Sequence, residues 1–196
     1  MEKFIVRSAG ATDLRFVDRV VEAIYNASQQ KGAGIAVRTN EYISSKILEG
    51  KAVIALTESD RWAGFCYIES WGHNKFVANS GLIVPDEFRG FGLAKAIKEK
   101  AMHLSFKLFP GAKLFGLTTN LAVMKINSDL GYKPVTFSEL TDDDEFWKGC
   151  ESCSYYDILV RTKRSHCLCT GMIKAPEKTQ TDEQSKKIKT DKITIE

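Results

Sequence analysis

The sequence contains no apolar run that approaches the roughly 18 residues needed to cross a membrane. Its first residues, Met1 to Ile5, lack the longer apolar core of a secretory signal peptide. The formal net charge is only +3, and no stripe interleaves lysine and arginine with aromatic side chains, which argues against nucleic-acid binding. We therefore expect a cytoplasmic protein with no membrane or nucleic-acid partner, whose five cysteines are thiols by default.

The composition that is present, 43% hydrophobic and 27% charged in 196 residues, is typical of one globular domain. Hydrophobic periodicity predicts the order β-α-α-β-β-β-α-β-α-β-β, with no internal repeat. Short polar turns between the strands of residues 51–84 favour an antiparallel meander, and a later helix provides a crossover. The sequence thus predicts an α+β domain over residues 1–173, with a mixed, mostly antiparallel sheet flanked by helices. Residues 174–196 are polar and predict a disordered tail.

The predicted elements are bounded by turn residues and by changes of period. Helices are predicted over 13–30, 40–49, 121–130 and from 93 to the Pro110-Gly111 turn. Strands are predicted over 4–7, 51–56, 62–71, 76–84, 113–118, 133–137 and 155–161.

The segment Arg89-Gly90-Phe91-Gly92-Leu93-Ala94 lies between an apolar strand and the amphipathic helix that starts at Leu93. Two glycines at a helix N-terminus expose backbone N–H groups and remove side chains that would block a phosphate. The helix dipole and the Arg89 guanidinium add positive charge at the same point. This pattern is typical of a pyrophosphate-binding loop, and its alternative is a glycine-rich turn that binds no ligand.

Two motifs in this sequence resemble those of the GNAT family of N-acetyltransferases: Arg89-x-x-Gly92-x-Ala94, and a short helix that ends in Leu130-Gly131-Tyr132. The resemblance covers residues 4–162. It implies acyl-CoA as a substrate and direct transfer of an acyl group to an amine. We expect no metal to be required. It also implies that pantetheine pairs with the backbone of one strand. The residues that it assigns to CoA are Leu82, Ile83, Val84, Arg89, Gly90, Phe91, Gly92, Leu93, Ala94 and Asn120.

Catalysis in such an enzyme needs a base for the substrate ammonium and a proton donor for the thiolate. Glu69 is the only carboxylate inside the meander strands and is the predicted base, with a solvent-facing strand end as the alternative. Asn79 is predicted to orient a water or the amine, or else to be a locally bonded buried residue. The family's tyrosine donor is replaced here by Asn127, whose amide can bind the thioester but delivers no proton. The sequence leaves the general acid unassigned, with water or Tyr132 as alternatives.

The strand ending Leu117-Thr118-Thr119 is similar to that of N-acetylglutamate synthases. This likeness implies glutamate as acceptor and acetyl-CoA or succinyl-CoA as donor, with Thr118 and Thr119 near the substrate. A dicarboxylate needs cationic partners, for which Arg38, Lys75 and Lys125 are candidates. Two alternatives stay open: acetylation of another amine, such as a polyamine, aminoglycoside or protein N-terminus, and a non-catalytic acyl-CoA-binding sensor. A homodimer is also left open.

Four of the cysteines form two close pairs, Cys150/Cys153 and Cys167/Cys169, a composition that also occurs in structural zinc sites. The strand predicted over residues 155–161 would separate the two pairs by roughly 23 Å. This geometry favours unligated thiols over zinc.

Overall fold

The computed structural model describes residues 3–30 and 32–176. Its strands form one sheet in the order β1-β2-β3-β4-β5-β7-β6. The β4–β5 pair is parallel and the other neighbouring pairs are antiparallel, which confirms the predicted mixed sheet. The strands are β1 (Phe4–Ser8), β2 (Ala52–Thr57), β3 (Trp62–Trp71), β4 (Phe76–Ile83), β5 (Lys113–Thr118), β6 (Lys133–Val135) and β7 (Thr170–Lys174).

Helices connect and cover these strands. They are α1 (Val17–Ser28), α2 (Asn40–Leu48), α3 (Leu93–Leu108), α4 (Leu121–Asp129), α5 (Asp144–Lys148) and α6 (Tyr156–Arg161). No helix in the described ranges is both long and apolar enough to cross a membrane. Residues 177–196 of the predicted tail lie outside the described residues. The first residue of that predicted tail, Lys174, is instead the last residue of β7.

The sheet carries a separate hydrophobic core on each face because side chains alternate along each strand. Val53 and Ala55 of β2 pack with Ile97 and the rest of the buried side of α3. Ile54, between them in sequence, faces the opposite side, where it packs with buried residues of α1 and α2 such as Ile24. Full burial of one such isoleucine contributes about 1.5–3 kcal/mol. The cores thereby fix α3 behind the sheet and α1 and α2 in front of it.

The last predicted strand was wrong, because Tyr156–Arg161 is the helix α6 and the final strand is Thr170–Lys174. The β-branched and apolar residues of this segment imitate a strand in composition. Only Leu159 among them is buried, however, and Asp157 forms an i,i+4 ion pair of 3.0 Å with Arg161. β7 instead inserts between β5 and β6. The strand predicted to end at 137 stops at Val135, and Phe137 begins a single 3-10 turn.

Candidate active site

The central feature of the site is a fork between the parallel strands β4 and β5. They pair only over Phe76–Ala78 and Lys113–Phe115, so Asn79 and Gly116 are the first residues beyond the last pair. β4 continues beside β3, and β5 continues beside β7. A cavity of about 1410 Å³ opens between them and is lined by both strands, by the N-terminus of α3 and by α4. Backbone polar groups of the two strands are therefore available to a bound molecule.

A β-bulge at Gly81 accompanies this divergence. Tyr67 is opposite Ser80 and Phe65 is opposite Ile83, so β4 has one residue more than β3 between these pairs. Gly81 has φ +62°, and a Cβ there would lie 2.6 Å from a ring carbon of Tyr67. Both the conformation and the close approach require glycine. A bulge bends its strand, which is consistent with β4 leaving β5 here.

The predicted phosphate loop opens into the same cavity. Gly90 and Gly92 have φ of +84° and +78°. If either carried a Cβ, no atom of the described residues outside its immediate neighbours would lie within 4 Å of it. Gly92 is the N-cap of the 16-residue helix α3. The backbone N–H groups at this end of a helix have no partner within it. The loop therefore offers unoccupied space, free donors and a helix dipole at one point, as an anion site requires.

Arg89 lies at the rim of this loop. Its Nε donates to the Val84 carbonyl at 3.2 Å, and its Nη1 lies 2.7 Å from an Asp86 carboxylate oxygen. The side chain is 60% exposed, so it is free to reorient toward an arriving phosphate. Phe91 is not part of the cavity wall and instead contacts Phe4, with ring centroids 5.6 Å apart. The other predicted residues of this segment, Gly90, Gly92, Leu93 and Ala94, line the cavity with Arg89.

The predicted pantetheine wall lies next to the loop. Leu82, Ile83 and Val84 all line the cavity, and Ile83 is paired with Phe65 of β3 on its other side. The Val84 carbonyl is already an acceptor for Arg89. The edge of β4 that faces the fork is thus the part of this wall that an extended ligand can pair with.

The opposite wall is formed by the end of β5 and the start of α4. Asn120 is the N-cap of α4, and its side-chain oxygen accepts from the N–H groups of Ala122 and Val123 at 2.9 and 3.2 Å. Thr118 Oγ1 accepts from the Asn120 N–H, and Thr119 Oγ1 accepts from the Gly34 N–H, both at 3.1 Å. All three line the cavity, but the side chains of Thr118 and Asn120 already stabilise the β5–α4 turn, and that of Thr119 connects this turn to Gly34 between α1 and α2.

Asn127 lines the cavity from α4 and is 1% exposed. Its Nδ2 lies 3.5 Å from the Met172 sulfur, and its Oδ1 is buried without a hydrogen-bond partner in the described part of the chain. An unpaired buried amide oxygen costs about 1–3 kcal/mol. A ligand N–H or S–H group that reaches this oxygen would recover that energy.

Arg38 lies in the cavity wall on the side of α2. Its Nε donates to the Tyr67 hydroxyl at 2.8 Å and its Nη1 to the Val37 carbonyl at 2.9 Å. Within residues 3–30 and 32–176, no carboxylate pairs with this guanidinium, and its Nη2 has no acceptor. Lys75 and Lys125, the other predicted cations, do not line the cavity. Arg38 is thus a partly buried cation with donors left for a ligand.

Glu69 lines the cavity at the end of β3, with 15% of its side chain exposed. Its carboxylate forms an ion pair with the buried Lys46, lies 3.7 Å from Lys51 Nζ and accepts from the Tyr42 hydroxyl at 3.4 Å. These contacts fix the position of the carboxylate. Glu145 also lines the cavity, but it is mostly exposed and ion-paired with Lys148.

Asn79 has its side chain committed to protein partners. Its Nδ2 donates to Ser105 Oγ at 3.0 Å, and its Oδ1 accepts from the Tyr132 hydroxyl at 2.7 Å. Burial raises the pKa of Tyr132 well above the usual range. This network holds α3 against the sheet and leaves the Tyr132 proton directed at Asn79 rather than at the cavity.

Lys98 is a cavity residue that the sequence interpretation missed. It belongs to α3, lines the cavity and is 2% exposed. Its sequence signal was the helical spacing, since Lys98 lies four residues after Ala94 and three before Ala101 on the side of the helix that faces the core.

The four clustered cysteines all line one side of this cavity, and the helix α6 lies between the two pairs. The separation of the two cysteine pairs by an extended strand over residues 155–161, which the sequence predicted, is therefore wrong. No group of three or more His, Cys, Asp or Glu side chains in the described ranges is arranged to hold a metal ion, so the structure does not support zinc here. Burial raises the pKa of Cys150 to about 11 and that of Cys169 to about 12, which keeps both as thiols at neutral pH.

Comparison with solved structures assigns the fold. N-acetylglutamate synthase from Neisseria gonorrhoeae, complexed with coenzyme A and N-acetyl-glutamate, matches with a TM-score of 0.63 at 12% identity. The match covers 90% of this chain but 36% of the synthase chain, so the chain spans about a third of the length of that protein. Rv2747 from Mycobacterium tuberculosis, solved with CoA, matches with a TM-score of 0.64 at 14% identity, over 88% of this chain and 99% of the other.

A GNAT-superfamily phosphinothricin acetyltransferase from Sinorhizobium meliloti, in complex with acetyl-CoA, matches with a TM-score of 0.60 at 16% identity and covers 91% of both chains. Comparison of sequences finds no matching family model and no matching curated protein. The chain therefore has the GNAT acyl-CoA N-acyltransferase fold, which confirms the fold expected from the two motifs.

Proposed function

We propose that the protein transfers an acyl group, acetyl or succinyl, from acyl-CoA to the amine of a small amino acid, with glutamate as the leading acceptor. The observation that carries the proposal is the shared cavity. One end opens at a phosphate loop, and a guanidinium without a carboxylate partner in the described ranges faces the same space.

The donor side of the proposal rests on the loop and the fork. The pyrophosphate of CoA would accept from the backbone N–H groups of Gly90 and Gly92 and from Arg89. The pantetheine arm would then extend along the free edge of β4, from Val84 toward Asn79, as an added strand. The five residue steps between Val84 and Asn79 span roughly 17 Å in an extended strand, so the acyl group would arrive at the apex of the fork.

The acceptor side rests on Arg38. A guanidinium in a partly buried site requires a counter-ion or strong hydrogen-bond acceptors. The protein surrounds this guanidinium with the Tyr67 hydroxyl, the Val37 carbonyl and the Tyr42 ring. A substrate carboxylate would complete the site by accepting from Nη2. This favours an acidic amino acid over a polyamine or an aminoglycoside, whose cations Arg38 would repel.

The chemistry that we assign to these residues is direct transfer. Glu69, the more buried of the two cavity carboxylates, would take a proton from the substrate ammonium. The neutral amine would attack the thioester carbon at the apex of the fork. Asn127 Oδ1 would accept from a CoA S–H or pantetheine N–H group.

Replacing Arg89 by alanine tests the donor site. Loss of one charge-assisted contact of about 1.5–3 kcal/mol should raise the Kd for CoA roughly 10- to 150-fold. The measurement is calorimetric titration with CoA. Arg61→Ala is a matched control, because Arg61 lies 3.9 Å from Glu87 of the same turn but does not line the cavity. Equal affinities in Arg89→Ala and the unmodified protein would remove Arg89 from the pyrophosphate site.

The proposed activity is tested by thiol release from acetyl-CoA and from succinyl-CoA in the presence of amino acids, polyamines and aminoglycosides. We expect release with glutamate and none with the polyamines. If thiol were released with a polyamine but not with glutamate, the acceptor would be a polyamine rather than an acidic amino acid. Tight CoA binding with no release on any amine would support a sensor instead.

A further inference from the structure

Lys98 is a buried cation in the described structure with no partner that neutralises it. The residue is 2% exposed on α3, and within residues 3–30 and 32–176 its Nζ forms no ion pair and no hydrogen bond. Transfer of an ammonium group from water into a protein interior is strongly unfavourable. A lysine kept in this position therefore needs a reason other than stability.

The Lys98 amine lies at the apex of the fork. A Cβ placed on Gly116 would be 3.8 Å from Lys98 Nζ and 3.9 Å from the Asn79 carbonyl oxygen. Asn79 and Gly116 are the first residues beyond the last β4–β5 pair. The amine thus reaches, from α3 behind the sheet, the point where the two strands begin to separate. A side chain on Gly116 would fill the space between the amine and β4.

The groups that face Lys98 are neutral at physiological pH. The Tyr132 ring lies 5.4 Å from Nζ, and the Cys66 thiol approaches from β3. Burial raises the pKa of that thiol to about 11, and β4 and β5 contribute no charged side chain to the apex. Burial lowers the pKa of Lys98, so its ammonium gives up a proton more readily than that of an exposed lysine.

We propose that the Lys98 ammonium stabilises the CoA thiolate as it leaves and donates the proton that converts it to CoA thiol. This role rests on the proposed function. Asn127 has no ionisable proton, and the Tyr132 hydroxyl, one of the alternatives for the general acid, already donates to Asn79.

The step conserves protons and electrons. The substrate ammonium gives one proton to the base, and the amine nitrogen forms a bond to the thioester carbon. As the tetrahedral intermediate collapses, the carbon–sulfur bond breaks and its electron pair stays on sulfur. Lys98 gives one proton to that sulfur, and the attached nitrogen loses its second proton as the amide forms. Lys98 then regains a proton, so that one proton in total is released to solvent.

The test is the pKa of the CoA thiol when CoA is bound, measured by the ultraviolet absorbance of the thiolate against pH. The complex with desulfo-CoA supplies the background from the protein's own cysteines. A cation within 4–6 Å of the sulfur favours the thiolate. Lys98→Met should therefore raise the pKa of the thiol of bound CoA by about 1 to 3 pH units. Lys100→Met, an exposed lysine of the same helix, should leave it unchanged.

Turnover gives the second readout. Lys98→Met should lower kcat roughly 10²-fold with little change in the Kd for CoA. Lys98→Arg should keep the low thiol pKa but not the turnover, since a guanidinium holds its proton. Lys98→Gln repeats the test with a polar side chain if methionine disturbs folding.

The outcomes separate the two proposals. An unmodified protein that binds no CoA would contradict the proposed function. If the thiol of bound CoA had the same pKa in the unmodified protein and in folded Lys98→Met or Lys98→Gln, the role of Lys98 would be contradicted. The proposed acyl transfer would not be affected by that result.

Discussion

Replacing Glu69 by glutamine is expected to lower kcat at neutral pH roughly 10²- to 10⁴-fold, the usual contribution of a positioned general base. Glutamine has nearly the same shape as glutamate but accepts no proton. Because the amine of the substrate loses its proton to solvent as the pH rises, the deficit should shrink at alkaline pH. The measurement is the pH–rate profile of the variant beside that of the unmodified protein.

The ion pair of Glu69 with Lys46 calls for two controls. Glu145→Gln removes the other cavity carboxylate, which is exposed at the rim, and should change kcat little. Since Lys46 is buried, a drop in Tm for Glu69→Gln would reveal structural damage. The double variant Lys46→Met/Glu69→Gln also removes the buried ammonium, which Glu69→Gln leaves with only the more distant Glu49 at 3.8 Å, and should restore Tm without restoring kcat. A deficit that stays constant across the pH range would exclude Glu69 as the base.

Replacing Arg38 by methionine is expected to lower kcat/KM for glutamate roughly 10²-fold. The two free N–H groups of Nη2 would be lost, and a charge-assisted hydrogen bond contributes about 1.5–3 kcal/mol. The effect should be specific to carboxylate substrates. The diamide of glutamate should therefore react equally well with Arg38→Met and with the unmodified protein. Arg38→Lys should recover only part of the loss, because an ammonium group cannot reproduce the planar guanidinium.

The affinity for CoA serves as the internal control for Arg38→Met. The hydrogen bonds of Arg38 within the described residues go to Tyr67 and Val37 and not to the phosphate loop, so the Kd for CoA should stay within about twofold. Equal losses for glutamate and its diamide would mean that Arg38 acts on the fold of the cavity rather than on the carboxylate.

The fold was largely predictable because most of its elements obey simple periodic patterns. The strands Trp62–Trp71 and Lys113–Thr118 have the predicted bounds, and α3 starts at the predicted Leu93. The segment Tyr156–Arg161 failed because its composition favours a strand, whereas the position beside β5 is taken by Thr170–Lys174. Pairing of strands distant in sequence is a tertiary effect that local propensity does not contain.

The site was predictable to the extent that it follows from backbone geometry. No atom of the described residues obstructs the space beside Gly90 and Gly92, as the absence of their side chains predicted. Lys98 could not be assigned in this way, since its importance depends on where β4 and β5 separate. The same holds for Asn79, which lines the cavity but whose side chain is hydrogen-bonded to Ser105 on α3 and to Tyr132 after α4.

A competition experiment tests the central claim most directly. The protein is incubated with acetyl-CoA or succinyl-CoA and equal concentrations of glutamate and spermidine, and the products are identified by mass spectrometry. We predict N-acylglutamate as the dominant product, with formation lost in Arg38→Met. Acylated spermidine as the dominant product, or no acylated amine in a protein that binds CoA, would contradict acyl transfer to an acidic amino acid.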